Sequence, residues 1–173
     1  NDNNTLSAQV LNRHQDNLDL LFVDGTTASA KVVLNEKDKA YVDVTDNLTF
    51  LKDNSFIWTS EKDGFNHIYV YDKTGKLKNQ VTKGNWEVTS YYGFDEKTKT
   101  VFYQSTENGS INRDIYRIGL DGKNKVRLSK NTGTNAATFS PNFQFFINTF
   151  SSASQPTTYT LNEAKSGKEI QVI

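Results

Sequence analysis

The chain has 173 residues, 35% of them hydrophobic and 12% aromatic, which is enough apolar material for a core and argues against wholesale disorder. Its 20 basic and 20 acidic residues cancel to a formal net charge of zero, so no global field draws it to nucleic acid or to an anionic membrane. The absence of cysteine excludes a disulfide framework, a thiolate nucleophile and cysteine-ligated zinc.

The N-terminal Asn-Asp-Asn-Asn lacks signal-peptide character, and no apolar run reaches the roughly 18 residues of a membrane span. A soluble chain with no membrane partner and no nucleic-acid partner is expected. There is no methionine either, and the expectation is a piece of a longer polypeptide.

In chain order, the first strand signal is Leu20-Leu21-Phe22-Val23-Asp24, followed by Val33 in a further apolar stretch. From residue 50 to 88 the signals sharpen. An apolar strand is predicted at residues 55–59, a polar turn containing Gly64 at 61–66, an alternating strand at 67–71, a Lys-Thr-Gly-Lys turn, and a short third strand ending at Val81-Thr82. A two-residue period sets Ile68 and Val70 on one face and His67, Tyr69 and Tyr71 on the other. Lys73, Lys76 and Lys78 fall among turn residues and are expected to be solvated. Further on, Val101-Phe102-Tyr103 and Phe143-Gln144-Phe145-Phe146-Ile147 are apolar nearly throughout, as strands buried on both faces are. No stretch keeps helical periodicity for about ten residues.

The segments repeat. Ile68-Tyr69 and Gly75-Lys76 coincide with Ile115-Tyr116 and Gly122-Lys123 at a single shift of 47 residues, and Val81-Thr82-Lys83 falls on Leu128-Ser129-Lys130 at the same shift. Phe56-Ile57-Trp58-Thr59-Ser60 precedes Val101-Phe102-Tyr103-Gln104-Ser105 by 45, the longer turn from Thr106 to Arg113 absorbing the difference. Leu20 to Asp24 forms a weaker copy of Ile68 to Asp72, and Phe139-Ser140-Pro141 with Ser151 marks another. Four repeats follow, at approximately 6–49, 50–93, 94–138 and 139–173, within a single partial propeller domain spanning 1–173.

Repeats of this length, each with three or four short strands, predict an all-β fold: a partial β-propeller of about four four-stranded antiparallel blades. One small sheet cannot bury both of its faces alone, whereas sheets packed face to face can. A sandwich of the immunoglobulin type has no reason to repeat at this period.

The recurring order is Phe-Ser-Pro, an apolar strand ending in Ser, a polar Gly turn, Ile-Tyr, Asp-x-x-Gly-Lys and Val/Leu-Thr/Ser. It resembles the repeat of the TolB-type propellers and of the prolyl oligopeptidase family. Trp58 to Tyr69 (Trp-Thr-Ser-Glu-Lys-Asp-Gly-Phe-Asn-His-Ile-Tyr) and Val81 to Val88 (Val-Thr-Lys-Gly-Asn-Trp-Glu-Val) are more particular, and resemble the bacterial dipeptidyl peptidase IV subfamily. Leu11 to Asn17 is similar to the Asn-Arg-x-Gln-Asn run of that subfamily, with Asp16 as one extra residue. The resemblance covers nearly the whole chain in order.

It implies the later part of an N-terminal, eight-bladed propeller that caps an α/β-hydrolase domain in an enzyme removing N-terminal Xaa-Pro or Xaa-Ala dipeptides. The family's nucleophile lies in a Gly-x-Ser-x-Gly elbow served by Asp and His. No such elbow occurs here, since Gly109-Ser110 and Gly133-Thr134 both fail it, and the family's adjacent glutamate pair is also missing. No catalytic, cofactor-binding or metal-binding residue is therefore expected in this chain, and no cofactor.

Individual candidates carry bland readings. His14 and His67 are the only histidines; His67, heading a strand beside a turn, is expected to be a hydrogen-bonded surface residue. Asp16, Asp19, Asp24, Asp43 and Asp46 lack calcium-loop spacing and suit turn formation. Trp86 is expected to pack between blades rather than to bind a ligand. Arg13 and Glu87 either line the central tunnel or pair structurally. Sequons at Asn3, Asn47 and Asn108 matter only in a glycosylating host.

The expected function is a non-catalytic propeller fragment that gates and positions peptide over the hydrolase domain of the same parent chain. Expected partners are that domain, short peptides, and further copies through open blades; the expected location is periplasmic or secreted in a bacterium. The alternative is a TolB-like periplasmic propeller that binds a protein partner and carries no peptidase.

Overall fold

The computed structural model describes residues 4–173. The chain divides into two compact units: residues up to Gly64 with Ile68–Asn79, and Phe65–His67 with Gln80–Ile173. Among the described residues all regular structure is β-strand. The fold is all-β, a partial β-propeller.

The first unit holds one antiparallel sheet and all but His67 and Gln80 of a second. In one, β1 (Thr5–Leu11), β2 (Asn17–Asp24) and β3 (Ala30–Lys37) lie in the order β1-β2-β3. In the other, β4 (Thr49–Phe50), β5 (Phe56–Ser60), β6 (His67–Tyr71) and β7 (Leu77–Gln80) lie in chain order. The first sheet has three strands and the others four, within the three or four expected of each repeat; residues 38–48 run on to β4 outside any ladder.

All five residues of β5 and all five of β6 are buried, because both are central strands whose two faces are covered. Leu18, Leu20 and Val33 of the first sheet close on Phe56, Trp58, Tyr69 and Tyr71 of the second. Phe22 meets Phe56 edge to face with centroids 5.3 Å apart, and Phe56 stacks on Tyr71 at 5.5 Å. Interdigitation of this kind makes the two sheets one core, in which truncating a ring costs about 3–5 kcal/mol.

In the second unit, β8 (Val88–Asp95), β9 (Thr100–Ser105), β10 (Asp114–Gly119) and β11 (Val126–Arg127) form one sheet. The other comprises β12 (Thr134–Phe139), β13 (Phe145–Ser152), β14 (Gln155–Glu163) and β15 (Glu169–Val172). Phe102, Ile115, Leu128, Phe146 and Ala164 are its core. Polar ties accompany the packing: the Ala137 N–H donates to Tyr92 Oη at 3.0 Å and the Gln104 amide to the Asn135 carbonyl at 2.6 Å.

Two predicted strands end elsewhere. The third strand of the 50–88 region stops at Gln80, and Val81 and Thr82 are buried beyond the ladder. The apolar run at 143–147 becomes strand only at Phe145. The Phe143 N–H instead closes a turn on the Ser140 carbonyl at 2.9 Å with φ of 52°. That turn lays the Phe143 ring flat on Phe102, with centroids 4.9 Å apart.

Candidate functional site

His67 is buried, with 1% of its surface exposed, and this corrects its expected place at the surface. Its Nε2 meets the Gly84 carbonyl at 3.0 Å and its Nδ1 meets Thr82 Oγ1 at 3.1 Å. A carbonyl can only accept, so Nε2 carries a proton and donates to Gly84, while Nδ1 and the Thr82 hydroxyl share the second hydrogen bond. A hydroxyl bonded to an imidazole is the geometry of an activated nucleophile. Thr82, however, is 2% exposed, and no substrate atom can approach it. The pair is structural.

Trp86 is half-buried and stands between two rings. It meets His67 edge to face at 5.0 Å and stacks on Tyr103 at 6.3 Å with planes 9° apart. Tyr103 in turn stacks on Tyr116 at 5.5 Å, the two being directly opposed across the β9–β10 ladder. Lys125 lies 5.7 Å from the Trp86 centroid and 5.9 Å from that of Tyr116, and its ammonium pairs with Glu107 Oε1. An aromatic row capped by a cation and a carboxylate results, all within the second unit.

Beside it, Asp114 is fully buried and accepts four hydrogen bonds from three side chains. Its Oδ1 accepts from Arg127 Nε at 3.1 Å, Arg127 Nη2 at 2.8 Å and Ser129 Oγ at 2.8 Å, while Oδ2 accepts from Asn108 Nδ2 at 3.0 Å. The same Asn108 nitrogen donates to Tyr116 Oη at 3.0 Å. Burial, then the Asp114 charge, pushes the Tyr116 hydroxyl up to about 12. The Tyr116 hydroxyl therefore keeps its proton near neutrality.

The first unit has a cluster of its own. Glu36 accepts from Trp58 Nε1 at 3.2 Å and Ser60 Oγ at 2.8 Å. Lys62 Nζ donates to Tyr71 Oη at 2.7 Å and sits 3.9 Å over the Tyr69 ring. Burial raises the Glu36 carboxyl against the pull of those two hydrogen bonds, and lowers the Lys62 ammonium. A serine bonded to a carboxylate with no intervening base is no nucleophile.

The remaining candidates are dispersed. Arg13 and His14 are exposed in the β1–β2 turn, and Glu87 is half-buried with its N–H on Thr106 Oγ1 at 3.1 Å. Asp24 caps its turn by accepting the Thr26 and Thr27 N–H groups, both at 2.8 Å. Asp19 instead accepts from the Asn35 side chain. No group of three metal-ligating side chains occurs among the described residues. The Asn47 amide nitrogen is engaged by Thr59 and that of Asn108 by Asp114 and Tyr116; Asn3 lies outside the described residues. Lys73 and Lys76 are exposed, and Lys78 pairs with Asp53 at 2.9 Å.

Sequence reasoning missed Glu36, Lys62, Tyr103, Glu107, Asp114 and Arg127. One signal was available. Tyr103 and Ser105 are two apart in a strand, which sets them on one face, with Glu107 following in the turn.

Stacked small sheets with sealed polar junctions define a propeller scaffold. Residues 1–157 match the model of the dipeptidyl peptidase IV N-terminal region, and the chain belongs to that family. It is similar to the "Probable dipeptidyl peptidase 4" of Aspergillus flavus, 28% identical over 93% of this chain and 22% of that protein. The dipeptidyl peptidase 4 of Trichophyton rubrum is 24% identical over 98% of this chain and 23% of its own length. The crystal structure of Porphyromonas gingivalis dipeptidyl peptidase 4 superposes with a TM-score of 0.91 at 41% identity, covering 98% of this chain and 24% of that one. The chain thus spans under a quarter of the length of these relatives.

Proposed function

We propose that this chain is the non-catalytic propeller part of a serine dipeptidyl peptidase that removes N-terminal Xaa-Pro or Xaa-Ala dipeptides, gating and positioning peptide over a separate α/β-hydrolase domain. The observation that carries the proposal is the family match over residues 1–157 combined with relatives more than four times as long. Sealing of the His67–Thr82 pair supports the non-catalytic assignment, and the missing Gly-x-Ser-x-Gly elbow agrees with it. Partners on this reading are the hydrolase domain of the same polypeptide and short peptides, in the periplasm or outside a bacterial cell.

The test compares two proteins on a Gly-Pro chromogenic substrate. The full-length polypeptide carrying this region cleaves it, and the 173-residue chain alone does not. Cleavage by the isolated chain, or none by the full-length protein, overturns the proposal.

A further inference from the structure

Five buried side-chain atoms among the described residues have no protein hydrogen-bond partner: Gln9 Oε1, Tyr103 Oη, Ser105 Oγ, Glu107 Oε2 and Asn148 Oδ1. Three of them belong to one short stretch. Tyr103 and Ser105 share a face of β9 and have no exposed surface, and Glu107 follows two positions further on. A buried polar group without a partner is as costly as a lost hydrogen bond, and native folds seldom tolerate several together.

Neighbouring polar groups hold bonds of their own. Asp114 and Tyr116 stand directly across from Ser105 and Tyr103. Both Asp114 oxygens carry bonds from Arg127, Ser129 and Asn108, and Tyr116 Oη accepts from Asn108. Thr106 Oγ1 holds the Glu87 N–H, and Lys125 occupies the other oxygen of Glu107. Trp86 stacks on Tyr103. Lys125, which pairs with Glu107, lies 5.7 Å from the Trp86 ring and 5.9 Å from the Tyr116 ring, the two rings that stack on Tyr103, and this sets the Glu107 carboxylate beside the Tyr103 stack.

We infer that this row is a buried hydration site, in which an ordered water bridges Tyr103 Oη and Glu107 Oε2 and reaches Ser105 Oγ. The phenol donates to the water, and the water donates to the carboxylate. Such waters typically make about three hydrogen bonds and form part of the fold. Here the water joins the strand that carries Tyr103 to the turn that carries Glu107, and so supports Trp86 from below.

High-resolution crystals of the full-length protein, wild type and Tyr103→Phe, provide the test, with hydrogen exchange at the β9 amides as a second readout. A density peak about 2.6–3.2 Å from both Tyr103 Oη and Glu107 Oε2 is expected. In the Tyr103→Phe protein the peak is lost and β9 amide exchange quickens several-fold. Ser105→Ala, a smaller change, is expected to quicken exchange to a lesser degree. A dry site, or Tyr103 bonded directly to Glu107, overturns the inference. So does unchanged or slower exchange in Tyr103→Phe, because removing a hydroxyl that has no partner is neutral or favourable.

Discussion

The carbonyl oxygen of Val33 lies 1.6 Å from the point a Cβ on Gly75 would occupy, and Gly75 itself has φ of +86°. The β6–β7 turn therefore packs main chain against main chain on the adjacent sheet of the first unit. In the second unit, Gly167 stands in the same relation to the Leu128 carbonyl at 2.3 Å and Gly122 to that of Val81 at 3.2 Å. Alanine at position 75 meets both a steric clash and a left-handed backbone, whereas at 122 the clash is slight. Gly75→Ala is expected to cost about 3 kcal/mol or more and Gly122→Ala about 1–2 kcal/mol. Thermal unfolding of the two variants should rank them in that order; equal melting temperatures would refute the steric account.

Asp114 supplies the second prediction. Its carboxylate is 0% exposed and takes bonds from Arg127, Ser129 and Asn108. Asp114→Ala strands the Ser129 and Asn108 donors, while solvent still reaches Arg127, so a loss of about 1–3 kcal/mol is expected. Denaturant unfolding measures it, and a loss below about 1 kcal/mol would show that the hub is not stabilising.

Glu36 sets a pH dependence whose sign is unusual for a carboxylate. Burial raises its folded pKa above the ordinary value of 4.5, so the folded chain binds the proton more tightly than the unfolded chain. The corresponding stability is present at pH below the unfolded pKa and is lost as pH rises through the folded pKa. Glu36→Gln, which removes the ionisation, should equal or exceed the wild type in melting temperature at pH 7. That advantage should disappear near pH 4. An advantage that instead grows on acidification would contradict the burial argument.

The two histidines should differ sharply in reactivity. His14 is exposed, while His67 is buried with both ring nitrogens engaged. Diethyl pyrocarbonate is expected to modify His14 in the native chain and His67 only after unfolding, as read by peptide mass spectrometry. Equal modification of both would show that the His67 site opens.

Apolar faces at both ends of the chain should drive association of the isolated 173 residues. Leu6, Val10 and Val32 of the first sheet and Ile147 and Tyr159 of the last are between 39% and 66% exposed, and exposed apolar sheet faces favour association. Sedimentation at rising concentration should show self-association, weakened by Val10→Lys with Ile147→Lys. A monomer at all concentrations would refute it.

Much of the strand pattern was legible because strands announce themselves locally. The alternation at 67–71 and the apolar run at 55–59 needed no knowledge of distant residues. The turn at Phe143 was not legible: an aromatic residue in an apolar run looks like strand, and only its stacking on Phe102 holds it at positive φ. His67 was misplaced for a similar reason. A histidine beside a polar turn looks solvated until Thr82 and Gly84, 15 and 17 residues away, close over it.

By itself the sequence determined the all-β class, the turn glycines and the motif around Trp86 that narrows a generic propeller to one family. These are local properties of side-chain period, backbone conformation and composition. Only the tertiary structure decided that Trp86 stacks on a buried Tyr103, and that Asp114 and Glu36 anchor hydrogen-bond networks. Each depends on desolvation and on partners brought together from separate strands, and neither is encoded in any short stretch of chain.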